Sequence, residues 1–330
     1  MARGPARRLS ARLRAAAWVL LCILVFIAIG GAMSAVTRPP PRGEMVDIGG
    51  RRLRIVCEGP ADASGPTVLM EAGAFGFAAD WAVIQHRLAG RGVRSCAYDR
   101  AGLGFSDPGP SPRDGLAVAE DLEKLVQAAG LRGPFILVGH SMAGLRVRLF
   151  ALRNPGSVAG LVLVDAATPE ATDTESMRGF VGAFANLSRL AGWGASAGLF
   201  KPFSFMGDSI GLEGAAANEK RWAFAHGPHN RWSADEAEHW LAAAEQAKGA
   251  GKLDPAWPVA VVTAGQGHGA RTSMQGAPAR DSRHGSFRNV PQASHASILG
   301  VEFADEVVKA IEFVRQAATE PSGPESARRP

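Results

Sequence analysis

The chain has 330 residues, 46% of them apolar and 20% charged, which is enough apolar material for one large core plus an insert and excludes a disordered chain. Its formal net charge is +5, but Arg3, Arg7, Arg8, Arg12 and Arg14 account for that excess, so the remainder is close to neutral. The basic residues form no stripe interleaved with aromatics, and nucleic-acid binding is not expected.

Residues 1–14 read as a basic cytoplasmic N-terminus. From Ala15 to Val36 no residue is charged, and Trp18, Leu20, Leu21, Ile23, Leu24, Val25, Phe26, Ile27 and Ile29 make the run strongly apolar. As a helix it would span about 33 Å, enough to cross a bilayer. Five arginines before it, against Arg38 and Arg42 just after, predict a cytoplasmic N-terminus with the rest of the chain outside. The expectation is a single-pass anchor over 15–36. Its rival is a cleaved signal peptide, with Ala15 to Ile29 as the apolar region and Ala32-Met33-Ser34 as the cleavage site. Both readings export the remainder of the chain. Residues 37–44 carry Pro39-Pro40-Pro41 and predict a stiff extended linker.

A folded domain is predicted over 45–318. Met45 to Ile48, Gly49-Gly50 and Leu53 to Cys57 read as a β-hairpin, and Thr67 to Met70 as a short buried strand with Gly73-Ala74-Phe75-Gly76 at its carboxyl end. Asp80 to Leu88 reads as a helix with Trp81, Ile84 and Leu88 inward. The strand Val93 to Tyr98 runs into Asp99-Arg100-Ala101-Gly102-Leu103-Gly104, and Leu116 to Ala129 is the next helix. Then comes Pro134-Phe135-Ile136-Leu137-Val138-Gly139-His140-Ser141-Met142-Ala143-Gly144. Four apolar residues lead into a small residue, a serine, two more small residues and a helix-periodic segment. This is strand, sharp turn and helix, and such a turn projects the Ser141 hydroxyl from the sheet edge at a helix N-terminus. Alanine at position 143 departs mildly from the strict G-x-S-x-G spacing.

Leu161 to Val164 is an apolar strand ending at Asp165. Residues 166–253 are too long for a bare loop and read as a helical cap insert. Its apolar patches include Phe180, Phe184, Leu187, Leu190, Trp193, Leu199, Phe200, Phe203, Phe205, Trp222, Phe224, Trp232, Trp240 and Leu241. Most of these are expected in the cap's own core, with a minority lining an apolar pocket above Ser141. The strand Val259 to Thr263 is followed by Ala264-Gly265-Gln266-Gly267-His268, which contains no acid; the first one afterwards is Asp281, in a stretch rich in Gly, Arg and Ser. Phe287 to Val290 is the last strand, Ser294-His295 follows it, and Glu302 to Phe313 closes the domain. The Pro, Ser and Arg-rich tail over 319–330 is expected to be disordered. The three cysteines, Cys22, Cys57 and Cys96, have no metal spacing, and His226 and His229 are expected on the surface.

In five separated motifs the chain resembles the α/β-hydrolase superfamily, in its Ser-nucleophile esterase and lipase-like branch, from about Met45 to Ala317. The motifs are Glu71-Ala72-Gly73-Ala74-Phe75-Gly76, Tyr98-Asp99-Arg100-Ala101-Gly102-Leu103-Gly104-Phe105-Ser106, the serine turn, Leu161-Val162-Leu163-Val164-Asp165, and Ser294-His295. The resemblance implies a mostly parallel eight-stranded sheet with helices on both faces. Serine at the nucleophile position sets the chain apart from the epoxide hydrolase and dehalogenase branches, which attack with aspartate. It further implies an oxyanion hole from the Ala74 and Met142 N–H groups, and a turn-stabilising role for Asp99 and Arg100. Cys57 and Cys96 would lie on neighbouring strands, where two buried free thiols are expected and a disulfide is the alternative.

His295 is the expected base, ahead of His140, His268 and His284. The acid is expected to be Asp165, as in lipases that use this earlier position, with Asp281 the alternative. The expected activity is carboxylesterase cleavage of an apolar ester through an acyl-enzyme on Ser141, with no metal or organic cofactor. A cofactor-free perhydrolase or an amide or C–C hydrolase on the same residues stays open, as does a non-catalytic membrane-anchored binding module. The expected partners are the small-molecule ester and, through the N-terminal helix, the membrane.

Overall fold

The computed structural model describes residues 5–36, 38–266 and 269–319. Eight strands are described: β1 (Glu44–Asp47), β2 (Arg52–Glu58), β3 (Thr67–Glu71), β4 (Ser95–Tyr98), β5 (Phe135–His140), β6 (Val158–Val164), β7 (Val259–Ala264) and β8 (Gly285–Val290). They form one sheet in the order β1-β2-β4-β3-β5-β6-β7-β8. β2 pairs antiparallel with both β1 and β4, and every other pairing is parallel. This is the sheet the resemblance implied.

Successive side chains of a strand point to opposite faces, and in the central strands both sets are apolar, so both faces must be covered. The helices are α1 (Pro5–Val36), α2 (Ala82–Ala89), α3 (Gly115–Ala128), α4 (Ala143–Arg153), α5 (Pro169–Thr172), α6 (Glu175–Ser196), α7 (Gly214–Phe224), α8 (Gly227–Glu238), α9 (Trp240–Gly249), α10 (Ala270–Asp281) and α11 (Ala304–Thr319). Ile136 and Val138 of β5 pack in one cluster with Ile84 and Leu88 of α2 and Val307 and Ile311 of α11. Phe135 and Leu137 enter the other, with Leu122 and Leu125 of α3 and Val147 and Phe150 of α4. Trp81 is fully buried in the first, as expected.

From β3 the chain steps outward to β4, then returns to place β5 on the other side of β3 and continues through β6 to β8. The carboxyl ends of β3 and β5 therefore flank the point where the strand order reverses, the place where open α/β sheets hold ligands. Helices α5 to α9 cover this edge. Side-chain caps start two of them, with the Thr168 hydroxyl accepting from the Ala171 N–H and Thr174 from Met177.

Several local expectations need correction. Cys57 and Cys96 are not free thiols. They are directly opposed in the antiparallel β2–β4 pair, with Cα atoms 4.0 Å apart, and form a disulfide. His229 is not on the surface; it is buried and its Nδ1 accepts the Gly104 N–H at 3.0 Å. His226 stacks on Trp222 with ring centroids 4.3 Å apart. Asp281, in the stretch rich in Gly, Arg and Ser, is the last residue of α10, which contains Pro278.

The proline linker is no free spacer. Arg38 lies over the rings of Phe105 and Trp222, at 5.1 and 5.6 Å, and Arg42 bonds the buried Glu219 carboxylate through its backbone and side chain. Half of the fourteen apolar residues named for the cap do not enter a core, since Phe180, Leu187, Leu190, Trp193, Leu199, Phe203 and Phe205 are exposed. Among the described residues α1 is the one helix long and apolar enough to cross a membrane, with mean hydropathy 2.4 over Ala11–Gly30. Thr37, His268 and the 320–330 tail lie outside the described residues.

The disulfide closes a sequence separation of 39 residues. Loop-closure entropy puts its contribution at about 2–4 kcal/mol. Replacing both cysteines by alanine is expected to lower the unfolding free energy by that amount; urea denaturation of the double variant checks it, and an unchanged midpoint contradicts it.

Candidate active site

The chain bends at the end of β5 so tightly that Ser141 takes a left-handed conformation, φ 57°, between β5 and α4. Small neighbours make this feasible. A Cβ on Gly139 would stand 2.9 Å from the Val147 side chain, and one on Gly144 would stand 2.4 Å from the Ala167 carbonyl oxygen. Ala143 is the first residue of α4 and adopts helical geometry, so its methyl group carries no strain. The turn is held on both sides, with the Ser141 N–H donating to Val164 O at 3.1 Å and Ser141 O accepting from the Ala167 N–H at 2.8 Å.

Among the described residues, two further non-glycine residues have positive φ. They are Phe75 at 56° and Asp165 at 41°, just beyond the carboxyl ends of β3 and β6. The structure brings Ser141, His295 and Asp165 together. His295 Nε2 lies 2.9 Å from Ser141 Oγ, and His295 Nδ1 lies 2.6 Å from Asp165 Oδ2. The second carboxylate oxygen of Asp165 accepts from Gln275 Nε2 at 3.2 Å, and the same amide nitrogen donates to Ala166 O at 3.2 Å. Sequence reasoning missed Gln275. Its stretch of α10 contains Gly276 and Pro278, and nothing local marks it as an acid's partner. Asp281 sits exposed at the end of α10, and His295 has Asp165 as its carboxylate partner.

The loop after β3 presses on the serine. A Cβ on Gly73 would come 2.8 Å from the Ser141 Cβ, so only glycine admits this approach. Among the described residues neither the Ala74 nor the Met142 N–H donates a hydrogen bond; Ala74 lines the same cavity as Ser141, and Met142 follows Ser141 in the chain. Unpartnered amides next to a nucleophile can receive a developing oxyanion.

Arg100 fixes the loop's course. Its guanidinium donates to Ala72 O at 2.7 Å, Gly73 O at 2.8 Å and Gly76 O at 3.3 Å, and bonds the buried carboxylates of Glu71 and Glu236. Arg146 of α4 donates to the same Glu236 at 2.9 Å and to Met142 Sδ at 3.6 Å. Burial pushes the Glu236 carboxyl up, but the charges of Arg100 and Arg146 outweigh it and hold it at about 2. Asp99 accepts from Arg54, from the Ala78 N–H and from the Phe105 N–H. Asp99 and Arg100 hold turns and touch no part of the Ser141–His295 pair.

His140 lies beneath His295, ring centroids 4.6 Å apart, with its Nε2 2.8 Å from the His295 carbonyl oxygen. Burial, and then the neighbouring His295, push His140 down to about 3, so the neutral ring donates Nε2–H to that carbonyl. His284 is exposed at the start of β8's approach and takes no part. Two cavity lobes meet at Ser141 and His295. One, of about 470 Å³, is walled by Phe75, Phe180, Phe184 and Trp240; the other, of about 460 Å³, by His140, Lys220, Phe200, Met206 and Phe224. No group of three or more His, Cys, Asp or Glu residues able to hold a metal occurs among the described residues.

A family described as alpha/beta hydrolase fold matches residues 66–300. Among curated relatives, the "probable transporter" efuK of Hormonema carpetanum is 36% identical over 129 residues, covering 38% of this chain and 18% of that protein. An AB hydrolase superfamily protein of Gibberella zeae is 36% identical over 105 residues, 31% of this chain and 32% of that one. The chain thus spans under a third of the length of these two relatives. Of the solved structures, a thermophilic esterase from Thermogutta terrifontis superposes with a TM-score of 0.61 at 21% identity, covering 85% of this chain and all of that one. At that identity the likeness is one of fold.

Unfolded, a histidine titrates near 6.5, whereas folded His140 stays neutral to about 3. The unfolded chain therefore binds more protons below pH ~6.5, and stability falls as the pH drops from there toward 3. Urea denaturation at pH 6, 5 and 4 is expected to show this fall, and His140→Asn to make it shallower by up to ~1.4 kcal/mol per pH unit. An identical slope in the variant contradicts the assignment.

Proposed function

The chain belongs to the α/β-hydrolase family, and from that membership we propose that it is a serine hydrolase, a carboxylesterase acting on apolar esters. The observation that carries the reading is the continuous hydrogen-bond chain from Ser141 Oγ through His295 to Asp165 at the meeting point of two largely apolar lobes. In this reading His295 Nε2 takes the Ser141 proton as Oγ bonds to the ester carbonyl carbon. The oxygen of the tetrahedral adduct lies against the Ala74 and Met142 N–H groups; losing one such donor typically costs about 10²–10³ in rate. His295 then gives the proton to the departing alkoxide. Water, deprotonated by the same nitrogen, attacks the acyl carbon and returns Ser141 and a carboxylic acid. Asp165 keeps the proton on His295 Nδ1 and balances the imidazolium charge, and Gln275 orients Asp165.

An apolar ester is supported by the lobes on either side of Ser141, which are similar in size and aromatic-walled and suit a substrate with an apolar group on each side of the carbonyl. Against a non-catalytic binding module stands the Asp165 carboxylate, 2.6 Å from His295 Nδ1 although the loop after β7 holds no acid. We further propose that α1 is a membrane anchor, with its arginines cytoplasmic and the hydrolase domain on the other side.

The test is p-nitrophenyl ester turnover and fluorophosphonate labelling of the full chain. Ser141→Ala is expected to abolish labelling and turnover, Asp165→Asn to lower kcat by about 10³–10⁴, and Asp281→Asn to leave it within twofold. Absence of labelling in the folded parent contradicts the serine mechanism. Turnover spared in Asp165→Asn contradicts the role given to that acid.

A further inference from the structure

The cap leaves large apolar side chains in solvent. Leu187, Leu190 and Trp193 of α6, and Leu199, Phe203 and Phe205 just beyond it, are each 51–69% exposed. The first three are spaced by threes and run along one side of the helix. From Gly179 to Gly207 there is no acidic residue, and the charges present are Arg189 and Lys201. A patch of this kind on a folded domain marks an interaction surface.

Its place in the molecule says what covers it. Gly30, in the carboxyl-terminal part of the apolar run of α1, crosses Gly198 backbone to backbone. A methyl group on Gly30 would stand 3.1 Å from the Gly198 Cα, and one on Gly198 would stand 3.2 Å from the Gly30 Cα. Gly198 lies between Trp193 and Leu199, so the patch sits beside the carboxyl-terminal part of the uncharged run Ala15 to Val36. The chain leaving α1 stays there, because Pro39 lines a cleft with Lys201 and Arg221, and Arg38 stacks on Phe105 and Trp222. Cations at this level lie where lipid headgroups would be. Finally, the second lobe of the Ser141 cavity is walled by Ala191, Phe200 and Met206, which belong to the segment that carries the patch.

We propose that this face of the cap is a bilayer-docking surface, whose apolar side chains enter the leaflet from which α1 emerges, so that the Ser141 cavity takes its ester from the lipid phase. The proposal rests on reading α1 as a membrane span. A helical face of aromatic and aliphatic residues fringed by cations is the chemistry that lies in an interfacial plane. Docking would set the cavity mouth against the acyl region and spare an apolar substrate the passage through water.

The test uses the full chain reconstituted in phosphatidylcholine vesicles, with and without phosphatidylglycerol. Cys22, in α1, is the free cysteine among the described residues and carries an environment-sensitive fluorophore directly. In a Cys22→Ala background the same fluorophore is placed by Phe205→Cys and, on α11, by Gln316→Cys. Quenching by doxyl-labelled lipid is expected at Cys22 and at the Phe205→Cys position, and not at Gln316→Cys. Quenching at Cys22 with the Phe205→Cys probe open to aqueous iodide overturns docking and leaves the anchor standing. No lipid quenching at Cys22 overturns the anchor and docking together. Shielding from both quenchers with a dimeric mass overturns docking in favour of contact between copies.

These readouts do not depend on activity, so a failed esterase reading stays separate. On the active protein, Leu190→Glu with Phe205→Glu is expected to lower turnover of a long-chain ester held in the vesicles at least tenfold, while a short soluble ester is turned over as before. Equal loss on both substrates overturns the proposal.

Discussion

Three non-glycine residues, Phe75, Ser141 and Asp165, hold left-handed backbone conformations at the carboxyl ends of the neighbouring strands β3, β5 and β6. Each costs of order 1–3 kcal/mol, and only a rigid surround keeps it. The parallel sheet is that surround. With both faces buried under α2, α3, α4 and α11, β3, β5 and β6 cannot relax, and the bends fall where the strands end. The three strained turns bring Ala74, beside Phe75, together with Ser141 and Asp165 around one cavity that His295 also lines. Remove the constraint and these groups are merely near one another in a large domain.

The buried arginines extend the constraint into the cap. Arg100 holds the carbonyls of Ala72, Gly73 and Gly76, and so sets the course of the loop that carries Ala74, the proposed oxyanion donor. Glu236 of α8 ties Arg100 to Arg146, one turn beyond Met142 on α4. A cap helix is thereby joined to both proposed oxyanion donors through charged groups that are fully buried. Isolated buried charges are costly, and this cluster is tolerable because each has a counterion within hydrogen-bond reach. The cap and the site are consequently one structural unit.

Much of this was legible in the sequence where the signal is local. The run from Phe135 to Gly144 carries its strand, its turn and its helix within a few residues, and the small residues at 139 and 144 announce the bend. Asp165 could be named because its strand is a plain apolar run and the later loop holds no acid. What escaped depends on contacts far apart in sequence. Gln275 reaches Asp165 across 110 residues, and Glu236 reaches Arg100 across 136. The burial of His229 is set by the turn at Gly104 that it caps. The disulfide needed the β2–β4 register, in which Cys57 and Cys96 fall directly opposite. The cap's exposed apolar residues misled for another reason: apolar composition reads as core, and their exposure is set by how the cap packs on the sheet.

The central claim is that acyl groups pass through Ser141. The most direct measurement is to quench the full-length protein in acid during steady turnover of an ester and map its peptides by mass spectrometry. The account predicts that the acyl mass is found on the peptide containing Ser141 and that it disappears once substrate is exhausted. Turnover with no acyl adduct, or with the adduct on another residue, would contradict it.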